Sequence, residues 1–105
     1  MNNSEVKEVL QNGFVHKSHC LNIFWLKKKS SYAKIATIVS KKVYPKAVSR
    51  NYFKRLQRNN FRKLISDKKD FYIVVVAKRS IAVKDKKQLF TIVEEKWNSL
   101  SNLLK

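Results

Sequence analysis

This sequence has few of the residues from which many enzyme sites are built. Its single cysteine, Cys20, excludes an internal disulfide, and with only His16 and His19 nearby the thiol has no zinc-binding framework. Only seven residues are acidic, and they are scattered along the chain, which argues against a two-metal nuclease with several converging carboxylates. We therefore predict no catalytic residue and no metal site in the protein itself.

Long hydrophobic runs are also lacking. No apolar stretch approaches the roughly 18 to 20 residues that a membrane span needs, and the N-terminus shows no signal-peptide pattern. Together with the single cysteine, which fits a reducing compartment, these absences predict a cytoplasmic protein without membrane association. We also expect no small-molecule substrate.

Positive charge is what the sequence has in abundance. Lysine and arginine number 24 against the seven acids, a net charge of +17. A hydrophobic fraction of 44% nevertheless argues against disorder. At 105 residues the chain is long enough for one core but not for two, so residues 1–105 are expected to form a single domain.

The positive charge is concentrated between Lys41 and Lys63, a segment with nine basic residues and no acidic one. Pro45 suits a first helical position, so we predict a helix from Pro45 to about Ile65. At 100° per residue, one face of this helix is basic. Its members are Lys46, Arg50, Asn51, Lys54, Arg55, Arg58 and Arg62. The opposite face carries the core candidates Tyr52, Phe53, Leu56 and Leu64.

Such a face is costly without a partner. Like charges four residues apart destabilise a helix by roughly 0.2 to 0.5 kcal/mol per pair, and no acid is interleaved to relieve them. The remaining polar residues, Asn51, Gln57, Asn59 and Asn60, are expected to add hydrogen-bonding groups. The planar arginine side chain suits phosphate oxygens. A nucleic-acid backbone is therefore the predicted ligand.

The other segments predict an α+β arrangement. Residues 4–12 read as a short helix capped by Asn3 or Ser4, and Gly13 is expected in a left-handed conformation at its end. Strands are predicted at Phe14–His16, Leu21–Leu26 and Lys34–Ser40, with an antiparallel hairpin between the last two. In the middle strand, Leu21, Ile23 and Trp25 point to one face, and Asn22, Phe24 and Leu26 to the other.

The second half of the chain begins with a polar loop at residues 66–70. The near-continuous apolar strand Phe71–Ala77 follows and is expected to be central, with a possible parallel partner across the basic helix. Asp85 and Gln88 form a capping signal for a last helix. The core stripe of that helix consists of Leu89, Val93, Trp97, Leu100 and Leu104.

One motif leads into the basic helix and continues along it, and it consists of Ser40, Lys41, Lys42, Ala47, Val48, Arg50, Asn51, Lys54, Arg55 and Arg58. This motif resembles that of the protein subunit of bacterial ribonuclease P. Two positions depart from the family pattern, because Tyr52 stands where the motif has its second arginine and Asn59 where it has an acid. The resemblance extends to the first helix and the aromatic strand after it.

The resemblance implies a four-stranded sheet in the order helix, three strands, helix, strand, helix, with a left-handed βαβ crossover around the basic helix. General rules predict the opposite hand. It also implies a role in removing the 5′ leader of precursor tRNA. In that reaction a large RNA is the catalyst, magnesium is held mainly by the RNA, and the protein is a non-catalytic cofactor of the endoribonuclease.

Site residues carried over by position fall into two groups. Expected contacts with the catalytic RNA or its ions are Lys41, Lys42, Arg50, Asn51, Lys54, Arg55 and Arg58, while Lys46 and Arg62 extend the same basic face. The leader cleft is expected at Val6, Leu10, Asn22, Phe24 and Lys78. Val6 and Leu10 stand where the family uses aromatic residues, which leaves Phe24 as the stacking candidate, with packing against the first helix as its alternative.

Other functions stay open at this point. A basic ribosomal protein or RNA chaperone would share the same charge. A DNA-binding regulator would place the basic helix in a major groove, although helix-turn-helix domains build their cores from helices rather than strands. A metal-free nuclease that uses histidine and lysine is a further alternative.

Overall fold

In the part of the chain that the structure describes, three α-helices and four strands follow one another in the order that the sequence predicts. The computed structural model describes residues 1–29, 32–65 and 70–104. Their elements are α1 (Asn3–Asn12), β1 (Phe14–His16), β2 (Leu21–Lys27), β3 (Lys34–Ile38), α2 (Ala47–Leu64), β4 (Phe71–Ala77), a 3₁₀ helix (Arg79–Val83) and α3 (Lys86–Leu103). The predicted α+β class is confirmed, and the 3₁₀ helix is an addition. Most of the predicted loop at residues 66–70 lies outside the described residues.

The sheet has the order β1-β2-β4-β3, with β4 at its centre. β3 pairs with β4 in parallel across α2, as the apolar character of β4 suggests. The predicted β2–β3 hairpin is wrong, because β2 pairs antiparallel with β4 from Leu21↔Ala77 to Lys27↔Phe71. β4 is apolar on both faces, so a position between two strands removes more apolar surface and backbone from water than an edge position would. The hand of the βαβ connection stays a prediction.

The two faces of the sheet are covered by different helices. The face that we call the α2/α3 face receives Ile73 and Val75 of β4, which lie in one buried cluster with Phe53 of α2 and Trp97 of α3. The opposite face, called the α1 face, receives Tyr72 and Val74, which cluster with Val9 of α1. The predicted alternation of β2 is confirmed, because Leu21, Ile23 and Trp25 join the first cluster and Phe24 and Leu26 the second.

The ends of α1 differ from the prediction. Asn2, not Asn3 or Ser4, is the N-cap, and it forms a capping box with Glu5. Gly13 has a φ of −80°, so the expected left-handed conformation is wrong. Glycine is required there for space instead, because a Cβ would lie 2.5 Å from the Val9 carbonyl oxygen and 2.7 Å from that of Trp25.

The connection from β3 to α2 also differs. β3 ends at Ile38, and the chain turns at Ser40, whose carbonyl accepts the Val43 N–H at 3.1 Å. Lys46 is the N-cap of α2, so the placement of Pro45 as the first helical residue is wrong. Pro45 lies one residue before the cap, in the loop that leads into the helix.

α3 follows its prediction closely. Asp85 and Gln88 form the expected capping box. Leu89, Val93, Trp97 and Leu100 are buried against the core, and Leu104 packs at its margin. No helix in the described ranges combines the length and the hydropathy that a membrane span requires.

Candidate nucleic-acid interface

The structure places most of the predicted basic face on the surface. Exposed members are Lys41, Lys42, Lys46, Asn51, Arg55, Arg58 and Arg62, whereas Arg50 and Lys54 are half-buried. Lys41 and Lys42 lie on the turn that precedes α2, so their charges extend the face past the start of the helix. Turn and helix together form one continuous cationic surface, which we call the basic surface.

Few acidic side chains balance this surface. Lys63, near the end of α2, pairs with Glu94 of α3 at 3.4 Å. Within the described ranges, no ion pair forms on Lys46, Lys54, Arg55 or Arg58. Their mutual repulsion therefore remains in the folded protein, and a polyanion would relieve it.

The start of α2 is also unusual for this protein. α1 and α3 both begin with a capping box, but Lys46 makes no side-chain bond to the first turn of α2, and that turn holds no acid. The first N–H groups of a helix carry partial positive charge and attract phosphate oxygens. Of the three helices, α2 thus has the least stabilised N-terminus and the highest density of positive charge. Departures from the usual capping pattern are commonly found at functional sites.

Arg50 has a structural contact that the sequence did not reveal. Its Nη1 donates to the carbonyl oxygens of Tyr44 and Pro45, both at 2.8 Å. These bonds hold the loop before α2 against the helix. Arg50 therefore organises the basic surface in addition to any contact with a ligand, and its substitution is a poor test of RNA contact alone.

Two residues assigned to the polar side of α2 lie in the core instead. Gln57 is fully buried, and its Oε1 accepts the Nε1–H of Trp97 at 2.7 Å. Asn60 is 5% exposed and donates to the Leu56 carbonyl at 3.0 Å. Their spacing from Phe53 and Phe61 is the signal that was missed, since steps of three and four residues place all four on one helix face. Asn59 is exposed, as expected.

The predicted leader residues lie on the α1 face. Val6 and Phe24 are partly buried and pack against the cluster that contains Val9 of α1, while part of the Phe24 ring remains accessible. The stacking role of Phe24 stays a prediction. Leu10 is 36% exposed on the same helix. An apolar surface between α1 and β2 thus stays open to solvent.

Asn22 and Lys78 meet at one end of this surface. The Asn22 Oδ1 accepts the Ser18 N–H at 3.4 Å, and the Lys78 Nζ donates to the Ser18 carbonyl at 2.9 Å. The bend before β2 therefore positions both side chains. Lys78 is exposed and retains further N–H donors for a ligand.

Ion pairs join α1 to the sheet, and the sequence did not point to them. The Glu5 carboxylate binds Lys34 at 2.9 Å, and Glu8 binds Lys28. The hydrogen bond from Lys34 lowers the pKa of Glu5 to about 2, with a further contribution from the Asn2 N–H. Lys34 also lies 5.3 Å from the centre of the Tyr72 ring. The alternation of side chains along β4 is enough to predict that Tyr72 and Val74 share one face of the sheet. The ion pairs could be predicted only if the position of α1 on the sheet were known.

Among the described residues, the histidines and acids form no metal-binding cluster. Burial, with a smaller effect from Lys96, lowers the pKa of His16 below its ordinary value. His19 is exposed in the bend before β2. In the described part of the chain, no three His, Cys, Asp or Glu side chains are placed to hold a metal ion.

Known proteins are similar to this chain in sequence and in fold. The family model described as Ribonuclease P matches residues 1–101. The chain is 31% identical over 97 residues to the ribonuclease P protein component of Photobacterium profundum, covering 92% of this chain and 82% of that protein. It is 40% identical over 75 residues to the counterpart in Pseudanabaena sp., which covers 71% of this chain and only 60% of the relative.

Solved structures agree with the sequence relatives. The RNase P protein from Thermotoga maritima superposes with a TM-score of 0.80 at 24% identity, over 96% of this chain and 94% of that one. The RNase P protein of Staphylococcus aureus superposes with a TM-score of 0.79 at 20% identity, over 100% of this chain and 93% of that one. At these identities the structures establish the fold, whereas the family model and the sequence relatives establish descent. The chain therefore belongs to the Ribonuclease P protein family.

Proposed function

We propose that this protein is the protein subunit of ribonuclease P and that it assists removal of the 5′ leader from precursor tRNA. Its partners would be the catalytic RNA of that enzyme and the leader of the substrate. Residues 1–105 would act as one RNA-binding domain in the cytoplasm. The observation that carries the proposal is the basic surface around α2 in a chain of this family.

The basic surface is the proposed contact with the catalytic RNA. Its members are Lys41, Lys42, Lys46, Arg50, Asn51, Lys54, Arg55, Arg58 and Arg62. Support comes from the exposure of seven of the nine, from the lack of a side-chain cap bond at Lys46 and from the repulsion that remains along the helix. Phosphate groups would offset each of these costs.

The surface between α1 and β2 is the proposed path of the leader. The partly exposed ring of Phe24 offers a face for one base, and Asn22 and Lys78 offer polar contacts nearby. Val6 and Leu10 would contribute apolar contact without stacking. Shape and stacking of this kind suit single-stranded RNA more than a duplex.

Catalysis would belong to the RNA. The protein would be part of an endoribonuclease without supplying a catalytic residue. Magnesium would be the cofactor of the reaction, held mainly by the RNA, while the protein lowers the repulsion between RNA segments that approach one another. The holoenzyme should therefore need less magnesium than the RNA alone.

Reconstitution tests this proposal directly. Precursor tRNA is incubated with bacterial ribonuclease P RNA, with and without the protein, across a magnesium and salt series. We expect the protein to restore cleavage at low magnesium, and the rescue to fade as salt rises because each phosphate contact releases counterions. Tight RNA binding without any rescue would instead indicate a basic protein of this fold that serves another RNA.

Paired variants locate the interface. Arg58→Ala removes an exposed charge from the centre of α2, and Lys87→Ala removes an exposed charge from α3. Both change the net charge equally. We expect Arg58→Ala to weaken RNA binding and to reduce the slope of log K against log salt by about 1, with Lys87→Ala close to wild type. Equal losses in the two variants would mean that overall charge, not the basic surface, drives binding.

A further inference from the structure

A groove of about 420 Å³ lies between the first turns of α2 and the start of α3. We call it the α2–α3 groove. Leu89, Ala82 and the rings of Tyr44 and Tyr52 provide its apolar surface. The Tyr44 hydroxyl donates to the Ile81 carbonyl at 3.2 Å, which holds the 3₁₀ helix in place as one wall. Its size is that of a small-ligand site rather than of a duplex groove.

The Tyr52 ring is the main aromatic surface of the groove. It is partly buried against the core, which fixes its position on α2. The Lys86 ammonium lies 5.4 Å from the centre of the ring. Because Lys86 is exposed and Tyr52 is only half-buried, this face of the ring can be reached from solvent, and a planar base stacks on such a surface.

The rim of the groove carries positive charge. Arg55 comes from α2, and Lys84 and Lys86 flank the start of α3. The one acid on the rim, Asp85, has its Oδ1 engaged by the Gln88 N–H at 2.8 Å as the cap of α3. The rim therefore carries three cations and one carboxylate that is already hydrogen-bonded, which favours an anionic ligand. A nucleotide has both an anionic phosphate for this rim and a planar base for the aromatic ring.

We propose that the α2–α3 groove binds one unpaired nucleotide of the partner RNA, with its base on the Tyr52 ring and its phosphate between Arg55 and Lys86. The inference rests on the proposed function, since it refines how the same RNA is held. Tyr52 stands where the family motif has its second arginine. In this chain a stacking contact thus takes the place of one ionic contact.

The test compares the full-length protein with Tyr52→Ala and Tyr52→Phe for binding to bacterial ribonuclease P RNA at several salt concentrations. Loss of a stacked base typically weakens binding about 5- to 150-fold. We expect a loss in this range for Tyr52→Ala with an unchanged salt slope, because no phosphate contact is removed. Tyr52→Phe keeps the ring and should bind within about threefold of wild type. Arg55→Ala should reduce the slope by about 1.

Ultraviolet cross-linking of the wild-type complex gives a second measurement that does not depend on how well a variant folds. Cross-linked peptides are identified by mass spectrometry, and we expect a nucleotide on Tyr52. Wild-type affinity in Tyr52→Ala, or a cross-link pattern that omits the groove, would overturn the nucleotide site while the Arg58→Ala result still supports the basic surface. If the wild-type protein does not bind this RNA, the proposed function fails and the nucleotide site fails with it.

Discussion

The two faces of the sheet contribute unequally to the fold. On the α2/α3 face, two helices of 18 residues each bury large side chains, including Trp97 and Phe53, which are both 0% exposed. On the α1 face, one helix of ten residues covers a small cluster around Val9, Tyr72 and Val74. Ion pairs from Glu5 and Glu8 add to this thin layer.

The larger core on the α2/α3 face and the smaller one on the α1 face suit different roles, stability for the first and ligand binding for the second. The α2/α3 face has enough apolar contact to hold α2 in place despite its repelling charges, so its outer side is free to carry the basic surface. The α1 face leaves Leu10 and part of Phe24 open to solvent. Regions with few buried contacts are where proteins accommodate ligands. The proposed leader path therefore lies on the side of the sheet that has the smaller buried cluster.

The largest expected effect comes from Trp97→Ala, which tests whether the α2/α3 face is the main source of stability. The change removes a fully buried ring and leaves the Gln57 Oε1 without its donor. We expect the free energy of unfolding to fall by about 3 to 5 kcal/mol, measured by urea denaturation. Ser99→Ala, exposed on the same helix, should stay within about 0.5 kcal/mol of wild type. A Trp97→Ala loss below about 1.5 kcal/mol would contradict the comparison.

Gly13→Ala tests the junction between α1 and the sheet. The new Cβ would meet two backbone oxygens, those of Val9 and Trp25, neither of which can move without shifting α1 or β2. We expect a loss of about 1 to 3 kcal/mol, measured in the same way. Asn12→Ala, exposed one residue earlier, is the matched control and should have little effect. A neutral Gly13→Ala would show that α1 is free to shift, and so that the α1 face is even looser than described.

Val93→Ala and Val9→Ala make the same substitution on the two faces of the sheet, so they compare how much each face contributes to stability. Both valines are 0% exposed, the first on the α2/α3 face and the second on the α1 face. The cost of a cavity depends on how well its surroundings collapse, and α1 is held by fewer contacts. We expect Val93→Ala to cost about 1 kcal/mol more than Val9→Ala in urea denaturation. The reverse order would break the comparison.

The smallest expected effect concerns the ion pair of Glu5 with Lys34. The pKa of Glu5 falls to about 2 in the folded protein, below its usual value of about 4.3. Its contribution to stability is therefore present above about pH 4.3 and is lost as the pH falls toward 2. Glu5→Gln should flatten the fall of the melting temperature across this range, modestly and less so at high salt. Glu95→Gln on α3 controls for overall charge, and an equally steep fall in Glu5→Gln would exclude a role for the pair.

Sequence patterns anticipated the site only in part. The exposure of Arg55 and Arg58 follows from helical periodicity, and the family motif locates both. The burial of Gln57 was missed because a polar residue on an apolar stripe is recognised only when its partner, Trp97, is known. The contact of Arg50 with the Tyr44 and Pro45 carbonyls depends on the path of the loop, which no local pattern encodes.

The sequence by itself determined the order of the elements, the central character of β4, the cap of α3 and the basic face of α2. Periodicity, capping residues and charge are local properties, and each can be read within one or two helical turns. Only the tertiary structure decided that β2 pairs with β4 instead of β3, since Leu21 and Ala77 meet across more than half the chain. It also brought Tyr52 and Lys86 together to form the α2–α3 groove. Such pairings depend on which of several competing arrangements buries the most apolar surface, and that balance is a property of the whole fold.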